Sequence, residues 1–132
     1  MRFPSGHALL EAQHPMSTSL QQVAQGLLLG PSLEDKLRPF DVETLADEPV
    51  APPPLRPWPA RDGTLAIHGG ADRLPKLRDL HNVKSRALCM HRFANHELQA
   101  MEMFAWATLI FVDQPESFRR GLMKNAADEQ RH

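Results

Sequence analysis

Residues 84–132 read KSRALCMHRFANHELQAMEMFAWATLIFVDQPESFRRGLMKNAADEQRH, and the punctuation of this stretch decides the fold. Neither Gly nor Pro interrupts residues 84–111, which are rich in Ala, Leu, Met and Glu, residues that lose little freedom in a helix. The segment therefore predicts one helix of roughly 40 Å at 1.5 Å rise per residue. VDQPESF then supplies the break. Asp113 is placed to cap a second helix, with Glu116 three residues later to complete a capping box and Pro115 in the first turn. That helix is expected to run from about Pro115 to the end of the sequence. So short a connection makes the two helices antiparallel neighbours, and the fold class is all-α.

The faces of these helices carry the chemistry. Met90, Phe93, Ala94, Met101, Phe104, Ala105 and Thr108 lie on the same side of the first helix as Glu97. On the second, Phe118, Leu122 and Ala126 lead to Glu129, with His132 one turn further. Carboxylates aimed into an apolar seam are unfavourable unless something positive meets them. Glu97 stands 16 residues before Asp113 and Glu129 stands 16 after it, so an antiparallel pair puts both about 24 Å from the turn. Glu102 misses that level by roughly 7 Å and faces Leu98, Gln99 and Trp106. The expected metal ligands are thus Glu97, Glu129 and His132.

A glutamate from one helix and Glu-x-x-His from the next form the half-site pattern of dimetal carboxylate bundles. The expected cofactor is a pair of iron ions, or iron with manganese. Carboxylates bridge such ions and neutralise them, while imidazole leaves positions open for dioxygen or water. Glu-x-x-His alone is weak, since about 0.4 chance occurrences are expected in a chain of this composition. The matched height and apolar setting give it weight. Against it stands a reading of Glu97 and Glu129 as core-edge acids paired with Arg86, Arg92 or a partner chain. His96, beside Glu97, is a candidate for supporting the ligands from behind. His91 and His96 are too far apart around the helix to share an ion. His7, His14, His68 and His81 show no usable pattern.

Upstream of residue 73 lies an arm rich in breakers, so the expected organisation is an arm over 1–72 and a helical hairpin over 73–132. Ser17 to Ser19 can cap a helix with apolar positions Leu20, Val23, Ala24, Leu27 and Leu28, stopped by Gly30 and Pro31. Ser32 precedes a short helix over 33–37. The prolines of PVAPPPLRPWP at 49–59 exclude helix and central strand. They predict an extended strap along the bundle, anchored by Leu55 and Trp58, with a turn at Gly69-Gly70.

Composition bounds the rest. The 132 residues are 42% hydrophobic with a net charge of −1. No apolar run is long enough for a membrane span, and the clustered basic excess of a nucleic-acid binder is missing. Arg119, Arg120 and Lys124 read as a solvated helix face. The N-terminus makes a poor secretory signal, and one cysteine, Cys89, suits a reducing compartment and a small buried hydrophobe. A cytoplasmic protein is expected.

The stretch from HRFANHELQA to DEQRH is similar to an uncharacterised bacterial family of ferritin-like proteins, domain of unknown function 455. Its marks here are HELQA around Glu97, D-x-P-x-x-F at Asp113 to Phe118, and DEQRH at Asp128 to His132; GPSLEDKLRP and PPPLRPWP resemble the family's arm. That family looks distantly related to diiron tRNA hydroxylases. The resemblance implies a ferritin-like four-helix bundle, with this chain its first hairpin and Glu97, Glu129 and His132 as metal ligands. Family members continue into two further helices bearing a second Glu and a second Glu-x-x-His, whereas this sequence stops in mid-helix. A truncated or split reading frame is therefore expected, or a homodimer in which each copy brings one half-site. The expected function is that of an oxidoreductase acting with dioxygen on an unspecified substrate. The alternative is a non-catalytic helical module, or a fragment, that docks on a partner subunit or second half. RNA modification, by analogy with the hydroxylases, draws no support from the charge.

Overall fold

A computed structural model describes residues 18–50, 59–65 and 73–132. Among them every regular element is helical: α1 Leu20–Leu29, α2 Leu33–Lys36, α3 Val83–Ile110 and α4 Glu116–Arg131. Single 3-10 turns occur at Val42–Thr44, Gly63–Leu65 and Leu77–Asp79.

α1 starts where its sequence says it should. Ser19 Oγ accepts from the Gln22 backbone at 3.1 Å, and Gln22 Oε1 accepts from the Ser19 backbone at 3.2 Å, a reciprocal capping box. Leu20, Val23, Ala24, Leu27 and Leu28 are all buried. Gly30 is the C-cap, where a side chain does not fit: a Cβ there would lie 2.5 Å from Asp35 Cβ and 2.6 Å from the Gly26 carbonyl. Ser32 and Asp35 repeat the capping box for α2.

α3 and α4 form the expected hairpin, and α1 packs across α3. Asn82 caps α3 by accepting from the Lys84 backbone at 2.9 Å. The start of α4 differs from expectation: Pro115 occupies the N-cap and no side chain caps it, so Asp113 does not form the box with Glu116. Arg119 organises the turn instead. Its guanidinium donates to the carbonyls of Phe111 (3.2 Å), Val112 (3.0 Å) and Gln114, satisfying acceptors at the end of α3. Its other nitrogens grip Asp47 at 2.9 and 2.6 Å. Arg119 is thus buried rather than part of a solvated face.

The core joins Leu20, Val23, Ala24, Leu27 and Leu28 of α1 to Met101, Ala105 and Leu109 of α3 and Met123 and Ala126 of α4, with Val42 and Leu45 beside them. The buried line on α4 therefore runs Arg119, Met123, Ala126. Phe118, expected inside, is exposed and meets Phe111 edge-on with centroids 5.9 Å apart. Met90, Phe93 and Ala94 of α3 are exposed as well. Cys89 is only half-buried. Leu55, Trp58, Gly69, Gly70 and residues 51–58 of the strap lie outside the described residues. Just after the strap, the Ala60 and Asp62 backbones donate to the Leu28 and Pro31 carbonyls at 2.9 and 2.8 Å.

Candidate metal centre

The hairpin brings Glu97, Glu129 and His132 together. Each offers one ligand atom, and these atoms all lie within 4.8 Å of one another. His132 Nδ1 stands 3.6 Å from Glu97 Oε2 and 3.4 Å from Glu129 Oε2. Glu129 and His132 are i and i+3 on α4, so they project from one face; Glu97 reaches them from the facing side of α3. Among the described residues this is the one group of three or more His, Cys, Asp or Glu side chains with ligand geometry.

The electrostatics are those of two acids forced together. Among the described residues no hydrogen bond reaches the buried Glu129 Oε2, although His132 Nδ1 stands 3.4 Å away. A hydrogen bond that protonated Glu129 donates to the neighbouring Glu97 carboxylate, burial and the Glu97 charge push the Glu129 carboxyl above the usual carboxylate range, against the pull of His132. The same shared hydrogen bond holds Glu97 below that range, with burial opposing and His132 and His96 helping. His96 is exposed and acts on Glu97 through charge. The two shifts run in opposite directions, so the first proton the pair takes up goes to Glu129. An acid pair with an orphaned buried oxygen, a neighbouring imidazole and open solvent on one side fits a hard or borderline dication, which replaces the proton and meets the lone pairs.

Glu102 departs from its expected surroundings. It is 3% exposed, and its carboxylate lies 2.9 Å from Lys36 Nζ, which is wholly buried, and pairs on its other oxygen with Arg61. Height along the helix rightly separated Glu102 from the Glu97–Glu129 cluster, but its burial was not legible. Both partners come from the arm, and no local spacing announces them.

The molecule is a helical protein with a carboxylate–histidine cluster where two antiparallel helices face each other. The chain belongs to the family described as Protein of unknown function (DUF455), which it matches over residues 19–132. No curated protein and no solved structure matches it. No helix of the described residues is long and apolar enough to cross a membrane.

Proposed function

We propose that this chain supplies half of a carboxylate-bridged dimetal site, iron or iron–manganese, in a ferritin-like four-helix bundle. The observation that carries the reading is the buried, undonated Glu129 Oε2 beside Glu97 and His132. In this reading Glu97 and Glu129 would hold the ions and neutralise their charge, and His132 would ligate one of them. When bound in reduced form, such ions supply dioxygen activation, which makes the protein an oxidoreductase. The chain's own residues set the terms. The carboxylates bring negative charge to a half-open wall, their shared proton leaves as metal enters, and the exposed side admits a second wall with another Glu and Glu-x-x-His.

Metal analysis by mass spectrometry after loading with Fe(II) or Mn(II) tests this. About one ion per chain is expected for a half-site, lost in Glu97→Ala and Glu129→Ala. Less than about half an ion per chain, indifferent to Glu97→Ala, ends the reading.

A second reading, a non-catalytic docking module, draws on a separate feature. Nearer its start, α4 carries an open notch of about 420 Å³ lined by Ser117, Phe118, Gly121, Leu122, Lys124 and Asn125. With exposed Phe93 and Trp106 on α3 it leaves apolar surface available to further helices. Size-exclusion chromatography with and without chelator separates the two. Association that ignores the chelator and survives Glu129→Ala favours docking alone.

A further inference from the structure

Three charged side chains outside the cluster lie almost fully buried: Lys36 at 0%, Glu102 at 3% and Arg61 at 4% side-chain exposure. Lys36 Nζ also donates to the Leu27 carbonyl at 3.1 Å, while Arg61 donates to Glu102 Oε2 at 3.3 Å, to Asn95 Oδ1 at 3.3 Å and to the Leu65 carbonyl at 3.4 Å. A buried ion triad is a poor source of net stability, because desolvation offsets most of the attraction. Its directional bonds nevertheless fix position. On the other side, Gln130 Nε2 donates to the Lys36 carbonyl at 2.9 Å and to the Arg38 carbonyl at 3.1 Å.

The two ends of this chain of contacts are what make it informative. Asn95 precedes Glu97 by two residues, and Gln130 follows Glu129 directly. The path Asn95, Arg61, Glu102, Lys36, α2, Gln130 thus joins a neighbour of one glutamate to a neighbour of the other. It runs through the arm rather than through the seam between α3 and α4. That seam is apolar at Met101, Ala105, Met123 and Ala126, and apolar contact is non-directional, so it holds the helices together without setting their register to a fraction of an ångström. A two-ion site needs that register.

We propose that Lys36, Arg61, Glu102 and Gln130 form a positioning brace, through which the N-terminal arm sets the spacing of Glu97 and Glu129 for metal. The proposal rests on the dimetal reading and adds residues to it that touch no ion. A brace of this kind predicts that the arm controls the metal site and not only the stability of the chain.

Co(II) alone is a suitable probe, because its visible ligand-field bands report ligand geometry as well as binding. Wild-type protein is expected to take up Co(II), and Glu129→Ala to lose it. Lys36→Met, which leaves Glu102 paired with Arg61, and Gln130→Ala are each expected to weaken Co(II) binding about tenfold and to shift the bands, with helical circular dichroism retained. Asp47→Asn is the control. It loosens the arm at Arg119, about 15 Å along α4 from Glu129, and is expected to lower stability while leaving Co(II) affinity and bands unchanged. Wild-type affinity and bands in folded Lys36→Met and Gln130→Ala overturn the brace, as does an equal disturbance in Asp47→Asn. If Lys36→Met does not fold, Gln130→Ala decides. Failure of wild-type protein to bind Co(II) is a different result, which removes the dimetal reading and the brace with it.

Discussion

Glu97 and Glu102 sit five residues apart on one helix and meet opposite surroundings, because five residues turn the helix by about 140°. Glu102 is neutralised by two cations of the chain itself. Glu97 faces a second acid and one imidazole. Glu129→Gln should therefore stabilise the metal-free protein by about 1 kcal/mol, since an amide can donate to Glu97 where a second carboxylate can only share a proton. The same change should abolish metal uptake; thermal melts and metal analysis on one preparation check both. The direction of the pKa shifts also fixes a pH dependence. Glu129 holds its proton above the ordinary carboxylate range, and metal must displace it, so affinity should rise as pH climbs through that raised value. In the metal-free protein the sign is reversed for stability. The contribution of Glu129 is fully present below its unfolded value and is lost as pH rises through the folded one. Titration with Co(II) at several pH values, beside metal-free melts, should show the two trends crossing.

At the scale of elements, the turn between α3 and α4 shows a cap replaced by a clamp. Asp113 with Glu116 matched a capping box by spacing, yet Pro115 takes the N-cap and buried Arg119 satisfies the turn carbonyls from inside. The reason is tertiary: Asp47 of the arm, itself held by Gln21 at 2.7 Å, gives Arg119 a buried partner. Asp47→Asn leaves the guanidinium buried and half-paired and should destabilise the fold by about 3 kcal/mol in urea denaturation. The hydrogen bond from Arg119 holds the Asp47 carboxyl below the usual range against the opposing effect of burial. Its stabilisation is therefore present above the unfolded aspartate value and lost as pH falls through the folded one, a loss the Asn variant should not show. Gly30→Ala should destabilise by about 1–3 kcal/mol by forcing α1 and α2 apart, measured in the same way.

For the molecule as a whole, the arm is part of the packing around the hairpin. α1 contributes five residues to the buried cluster, and a single parallel bridge between Ser19 and Ala46 pins its start to the segment that follows α2. With α1 on one face, the other face of α3 and α4, including Phe93, Trp106 and Phe118, stays exposed. A ligand that binds only the folded state stabilises it by mass action, about 2.7 kcal/mol at one hundred times its dissociation constant. Melting temperature should accordingly rise with Fe(II) or Mn(II) concentration in wild-type protein and stay flat in Glu129→Ala, as followed by circular dichroism at increasing metal.

The features legible in the residues alone are local or periodic. The α3 and α4 bounds came within a few residues, Ser19 capped α1 from within the Ser17 to Ser19 run, and equal distances from the turn brought Glu97 and Glu129 to one height. These follow from helical rise, backbone donors and the reach of a side chain, none of which needs a distant partner. The tertiary structure decided which face of α4 is buried, that Arg119 closes the turn, and that Glu102 lies buried between Lys36 and Arg61. Each of those depends on residues far apart in sequence being folded into contact, because a charge can be buried only where another element brings its counter-charge, and spacing along one helix carries no record of it.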